Sequence, residues 1–333
     1  MERTTDWPVH PWVAERREGI GFALAPYALG APDGSAAVLA AGELAEELGF
    51  DAVFIGDHPA MGIDPWLHLA ALAMRTKRVG LGTDVACVAY RHPVMTARLA
   101  TDVDHLSQGR LILGLGIGAF ADEFAALGVP FAPTPERQAM MDEAVAVIRG
   151  VWGEAPFTYH GRYVQAVDAR IAPPPVQQPA PPLMIAGGGE RVTLRQVAAQ
   201  ADACNLNSAS APSVADVERQ LAALRRHCEA FGRPPESVLR THTTGWLIMA
   251  PDEERLARKV ARYFPDGAAG HYPVPLRDLV LAATPEQAVA HYRALADAGL
   301  QYFIIEVVDA ADEETIRLFA DTVMPRVAVA PAR

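Results

Sequence analysis

Asp57 and His58 stand side by side directly after the apolar run AVFIG at 52–56. They join a carboxylate to the side chain that titrates nearest neutrality, a pair suited to binding the polar edge of a ring and moving a proton. A turn cap and a surface histidine would use the same two residues. A second carboxylate, Asp84, interrupts the apolar run VGLGTDV at 79–85, where a core position ordinarily holds an aliphatic side chain. Glycines at 114, 116 and 118 end the next run, RLILGLGIGA. They remove side chains where a flat ligand or another stretch of backbone must come close. Their order and place do not fit a dinucleotide fingerprint, which needs G-x-G-x-x-G at a first strand and an acid about 20 residues on.

The stretch AGGGERVTLRQVAAQ is a stronger glycine signal. Gly187, Gly188 and Gly189 with Glu190 and Arg191 lead into a helical pattern, and such a loop presents backbone N–H groups and a positive dipole end to an anion, phosphate above all. Arg191 and Thr193 would supplement those donors; a tight turn with Glu190 favouring the helix start is the plainer alternative. Other polar residues at the ends of apolar runs are Thr83, Asn205, Asn207 and Glu306, the last suited either to a ligand or to an arginine in the core. Cys87 and Cys204 read as small packed hydrophobes. His92-Pro93 reads as a helix start with proline in the first turn. No nucleophile elbow, Walker loop or H-E-x-x-H is present, and three scattered cysteines support neither a zinc site nor a disulfide framework.

The elements that must position these residues alternate short apolar runs with helical periodicity, the mark of parallel βα units. Strands are expected at 20–25, 52–56, 79–85, 110–116, 182–186, 203–207, 242–249 and 301–308, with amphipathic helices between them. Eight units predict a closed (β/α)8 barrel, with an open doubly wound sheet as the competitor. In such a barrel the working residues sit at the carboxyl ends of the strands. Two insertions interrupt the rhythm: 153–181 with its run APPPVQQPAPP, and 264–283. Both are expected at the barrel mouth, where with 59–64 they would bring Trp152, Phe157, Tyr159, Phe264 and Tyr272 to an apolar or aromatic guest.

The 333 residues are half hydrophobic and 21% charged, enough for one large core. A formal net charge of −11 argues against nucleic acid and anionic lipid. The N-terminal stretch carries charges and prolines where a signal peptide needs an apolar core, so a cytoplasmic protein that does not enter the membrane is expected.

Three segments, AEELGFDAVFIGDHP, RVGLGTDVACVAYRHPVMTARLATDVDHLSQGRLILGLGIGAFADEF and PPLMIAGGGERVTLRQVAAQADACN, resemble the luciferase-like flavin and deazaflavin oxidoreductases over about residues 19–325. The resemblance implies one (β/α)8 domain and a non-prolyl cis peptide joining Asp84 to Val85, bulged against the cofactor ring. Asp57, Thr83, Asp84 and Val85 would then line the ring, and Gly116, Ile117, Gly118 and Ala119 its other edge, with Asp122 a weaker contact. Gly187 to Arg191 would hold the phosphate. An arginine that holds the FMN phosphate in true luciferases has Ile117 in its place here, which favours coenzyme F420 over FMN. His58 matches the histidine near the hydride-transfer position of the deazaflavin-dependent sugar-phosphate dehydrogenases. Their acid after the fourth-strand glycine is Ala119, and their aromatic after the histidine turn is Gly62, which puts that specific activity in doubt. The resemblance thus implies an F420-dependent oxidoreductase acting on a small organic molecule, with homodimers. An FMN-dependent monooxygenase and a cofactor-binding protein without turnover are the alternatives.

Overall fold

A computed structural model describes residues 7–28, 33–59, 62–153, 156–206, 213–264 and 280–328. Eight parallel strands form its centre: β1 (Gly21–Pro26), β2 (Ala52–Ile55), β3 (Gly80–Thr83), β4 (Leu111–Gly116), β5 (Leu183–Ala186), β6 (Ala203–Asn205), β7 (Leu239–Met249) and β8 (Tyr302–Val307). Each pairs with its chain neighbours, β6 with β7, and β8 with β1. The ring therefore closes, as the eightfold alternation predicts, and an open sheet is excluded.

The strands read as nearly unbroken apolar runs because both faces are buried. On β1, Phe22 and Leu24 face the helices, while Ala23 and Ala25 face inward. The lower interior is filled by Phe54, Ile112, Met184, Leu239, Tyr302 and Ile304, with Gly82 making room for the Phe54 ring. Toward the carboxyl ends the same inward alternation places Asp84, Asn205, Thr243 and Glu306. The interior thus changes from a dry plug to a polar shaft within one layer.

Helices α1 (Gly34–Leu48), α2 (Pro65–Arg75), α3 (Pro93–Ser107), α4 (Thr134–Trp152), α5 (Thr193–Gln200), α6 (Val214–Ala230), α7 (Pro285–Asp297) and α8 (Glu313–Leu318) surround the barrel. His92 caps α3, accepting from the Val94 N–H ahead of Pro93, as expected. Gln108 and Gly109 then turn the chain at positive φ. Arg110 donates to the carbonyls of Ala73, Thr76, Val79 and Ser107, satisfying groups that the ends of α2 and α3 leave open. The LSQGR segment is thus a structural clasp.

The 153–181 insertion does not cover the mouth. It connects α4 to β5, so it leaves from the amino ends of the strands, and it forms a hairpin of Phe157–His160 with Gln165–Ala169 on the outer wall. Glu143 of α4 accepts the N–H groups of Arg162, Tyr163 and Val164 at the hairpin turn. The proline-rich run then follows α3, held by buried Asp104, which accepts from the Val176 and Gln177 N–H groups. Trp152 is a core residue donating Nε1 to Thr101 Oγ1 at 3.0 Å, and Phe157 and Tyr159 belong to the hairpin. Of the second insertion, Phe264 and 280–283 are described, and Leu281–Ala283 pairs with the end of β7. Tyr272 and Asn207 lie outside the described residues.

On the outward face of β7, both ring nitrogens of His242 are buried without a hydrogen-bond partner among the described residues. Burial, with the neighbouring His291 adding to it, pushes His242 down to about 3. A depressed histidine binds its proton more weakly folded than unfolded, so its contribution to stability is complete above the unfolded value of 6.5 and is lost as pH falls. Denaturant unfolding of the wild type and His242→Leu between pH 6.5 and 4 should show the wild type losing ~3 kcal/mol more than the variant. Parallel pH dependences would show that this histidine does not limit acid stability.

Candidate active site

The polar shaft is organised by Asp84. β3 stops at Thr83, the Asp84–Val85 peptide is cis, and the chain rejoins the sheet at Ala86–Cys87 beside β4. Asp84 therefore turns into the barrel, 6% exposed. Asn205 Nδ2 donates to its Oδ1 at 2.9 Å, and Thr243 Oγ1 to its Oδ2 at 2.7 Å. Asn205 also accepts the Thr243 N–H at 2.8 Å, closing a triangle across β3, β6 and β7. Burial lifts Asp84 to about 6, against the Thr243 and Asn205 bonds and the nearby His58, which pull it down.

The glycine row is required by this bulge, because side chains there would collide with it. A Cβ on Gly114 would lie 2.1 Å from the Thr83 carbonyl oxygen, and one on Gly116 2.4 Å from Val85 Cγ2. One on Gly118, whose φ is positive, would lie 2.5 Å from the Phe124 ring. Thr83 is likewise internal: its hydroxyl donates to the Gly114 carbonyl and accepts the Gly114 N–H, bracing β3 to β4 instead of lining a ligand. Val85 remains half-buried at the shaft.

Asp57 and His58 follow β2 and are held by different partners. Asp57 is 3% exposed, and its Oδ2 accepts from the Cys87 N–H at 3.1 Å and from Arg91 Nη1 at 2.6 Å. Arg91 Nη2 reaches Asp64 at 3.1 Å, so one guanidinium brackets the His58 turn from both ends. Asp57 Oδ1 is buried and has no hydrogen-bond partner among the described residues. His58 Nδ1 meets both carboxyl oxygens of Glu123, at 3.2 and 3.1 Å, and Tyr90 Oη donates to Glu123 Oε2 at 3.3 Å. An acceptor at Nδ1 places the proton there, leaving Nε2, which has no hydrogen bond among the described residues, to face a ligand. Tyr27 and Phe120 flank the imidazole at ring-centre distances of 6.4 and 5.5 Å, and Trp246 lies 6.2 Å beyond Tyr27.

Glu123 is not among the residues expected from sequence, which name Asp122 beside it and the missing acid at Ala119. It lies on the short helix Ala121–Ala126 and is 2% exposed, while its neighbour Asp122 faces solvent. The sequence offers only the adjacent acids Asp122 and Glu123 ahead of Phe124, with nothing to say which of the two turns inward. Ile117 and Gly118 are pinned from behind by Arg137, which donates to both carbonyls. Gly187, at φ +125°, and Gly188 and Gly189 lead to α5, but Glu190 is engaged with Arg219 at 2.6 Å, not at the helix start. Arg191 is exposed. Burial drives the thiols of Cys87 and Cys204 up to about 12, consistent with packing and not nucleophilic chemistry.

These groups can bind a polar ring edge and exchange protons with it. The orphaned Asp57 oxygen requires a donor, and an N–H on a planar heterocycle would satisfy it. Val85, the Gly116–Ala119 turn and the glycine loop before α5 suit a flavin-type ring and its phosphate, so the residues present fit such a cofactor.

Residues 22–317 match the model of the luciferase-like monooxygenase family. The chain is 27% identical over 316 residues to an F420-dependent glucose-6-phosphate dehydrogenase of Microbacterium testaceum, covering 86% of this chain and 91% of the relative. It is 29% identical over 208 residues to the oxygenase component of a flavin-dependent trigonelline monooxygenase of Acinetobacter baylyi, covering 60% and 56%. Among solved structures, the F420-dependent tetrahydromethanopterin reductase of Methanopyrus kandleri superposes with a TM-score of 0.76 at 20% identity, covering 92% of this chain and 99% of that one. A barrel whose third strand ends in a buried aspartate on a cis peptide, matched by that family model along most of its length, belongs to the luciferase-like monooxygenase family.

Proposed function

We propose that the protein is an F420-dependent oxidoreductase that moves a hydride between the deazaflavin and a small organic substrate. The carrying observation is the His58–Glu123 pair, with Nε2 left open beside the cradle of Asp57, Asp84 and Val85. The F420-dependent names of full-length relatives support the choice of cofactor. So does Ile117, an aliphatic residue where an arginine would be needed for the FMN phosphate, together with the engagement of the nearby Arg137 with backbone carbonyls.

When bound, the deazaflavin supplies a two-electron hydride exchange centre. The chain would bind and orient it: Asp57 Oδ1 would accept from the ring edge, Asp84, Val85 and the Gly116–Ala119 turn would border the ring, and Gly187 to Arg191 would offer donors to the phosphate. His58 Nε2 exchanges a proton with the oxygen of a substrate hydroxyl or carbonyl, taking it on oxidation and returning it on reduction. Glu123 is a positioning residue that fixes the imidazole tautomer and orientation, and Tyr90 holds Glu123. The relatives' sugar phosphate is not carried over, because Ala119 and Gly62 depart from their pattern.

Exposed apolar side chains support a homodimer. On α2, Leu67 and Met74 lie seven residues apart at 72% and 64% exposure; on the adjacent α3, Met95 and Leu106 lie eleven apart at 53% and 45%. These spacings put one apolar stripe on each helix, of the sort that marks an interface. Sedimentation should find a dimer for the wild type and a monomer for Leu67→Glu/Met74→Glu; an unchanged mass for the variant would remove this interface.

Fluorescence titration with F420 and FMN side by side tests the cofactor assignment. F420 should bind at least tenfold more tightly, about 1.4 kcal/mol; preference for FMN together with substrate-dependent oxygen uptake would establish the monooxygenase reading instead. With F420 bound, His58→Ala should reduce turnover by roughly 10²–10⁴-fold. Glu123→Gln should reduce kcat less while altering its pH profile. Full turnover by His58→Ala at every pH would end the proposed catalytic role.

A further inference from the structure

The shaft holds a second carboxyl that the His58 chemistry does not use. Glu306 lies in β8, opposite Ala25 of β1, and follows the inward alternation of Tyr302 and Ile304. It forms no ion pair with a lysine or arginine among the described residues. Its neighbours are the Tyr27 hydroxyl, which is hydrogen-bonded to it, and the carboxylate of Asp84. Asp84 is already committed to Asn205 and Thr243, which donate to its two oxygens. Of the charged or titratable groups facing Glu306, Asp84 comes from the β3 bulge and Tyr27 from beyond β1, with His58, after β2, acting on Asp84. From β7, Thr243 on Asp84 does not titrate, and His242 faces the helices with Phe303.

We propose that Asp84 and Glu306 share a single proton at neutral pH, that Glu306 carries it, and that Glu306 presents a carboxylic O–H at the base of the shaft as a second proton donor beside His58. Two carboxyls in a low-dielectric layer without a counter-cation cannot both ionise cheaply, and the one with fewer donors keeps the proton. Among the described residues, Asp84 receives two hydrogen bonds and the field of His58, whereas Glu306 receives one bond, from Tyr27. The electrostatics agree: burial, then repulsion from Asp84, lifts Glu306 to about 8, while Asp84 stays near 6. Glu306 keeps partial exposure, and its inward place in the strand alternation turns that exposure toward the shaft, where a ligand would meet the O–H. In the transfer, the Glu306 O–H bond breaks and a bond forms from that proton to a basic nitrogen or oxygen of the bound ligand. The carboxylate left behind regains a proton from solvent through the shaft. Two donors suit a two-electron reduction, in which substrate and carrier each have a protonation state to settle.

The donor role rests on the oxidoreductase reading, but the proton itself can be observed without any cofactor. Infrared difference spectra of the ligand-free protein, wild type against Glu306→Gln, should show at pH 6.5 a protonated-carboxyl C=O band that the variant lacks. The band should vanish as pH is raised through about 8. Asp84→Asn should move that loss to higher ionisability, so that the band disappears at lower pH, a coupling that a merely space-filling glutamate would not show. In turnover with F420, Glu306→Gln, which preserves shape, should lower kcat at least tenfold and abolish the fall of rate above pH 8. A wild type without the band, or a Glu306→Gln enzyme with unchanged band, overturns the shared proton. Full kcat with the alkaline limb intact overturns the donor role. Failure of F420 to bind would count against the cofactor assignment and leave the spectroscopic result standing on its own.

Discussion

Everything at the mouth of this barrel depends on satisfying one buried carboxyl. Asp84 is carried into the interior on a cis peptide, where an unpaired carboxylate would cost several kcal/mol. Asn205 and Thr243 meet both of its oxygens from the opposite side of the ring. Because these partners come from β6 and β7, the bulge after β3 is secured only once the barrel has closed. The glycines of β4 are the second half of that arrangement, since the volume that their side chains would fill is taken by Thr83 and Val85.

Around this centre the carboxyls are distributed among distinct tasks by their donors. Asp57 is held by Arg91 and a backbone N–H and keeps one oxygen free. Glu123 is committed to His58 and Tyr90. Asp84 has hydroxyl and amide donors, and among the described residues Glu306 has Tyr27. Four acids within one site thus differ in what they can accept or give up, and a proton can be held at two places, the His58 imidazole and the floor of the shaft. This division suits hydride chemistry, in which the protein's part is to orient reactants and to place protons.

The arginines show the opposite tendency, acting in structure more than in recognition. Arg110 clasps the ends of two helices, Arg137 pins the 117–118 turn, and Arg91 brackets the His58 loop. Guanidinium groups are suited to this because a planar fork can satisfy several carbonyls or carboxylates at once. The proline-rich insertion is fixed in the same economical way by an acid, with Asp104 collecting two successive backbone N–H groups.

By itself the sequence determined the eight βα units, the closed barrel, the cap at His92 and the strand ends where polar residues collect. These follow from local periodicity, from runs buried on both faces and from turn chemistry, all of which are written in short stretches of chain. The motif residues Asp57, His58 and Asp84 were legible for the same reason, since a polar group at the end of an apolar run is conspicuous. Only the tertiary structure decided their partners. Glu123 lies 65 residues from His58, Asn205 121 residues from Asp84, and Thr243 159 residues from it. No spacing in the sequence encodes such contacts; ring closure does. The same limit explains the glycine row and the 153–181 insertion: whether an absent side chain admits a ligand or a neighbouring strand, and whether a long loop lies over the mouth or along the wall, depends on which end of the barrel the chain leaves from and on what packs against it.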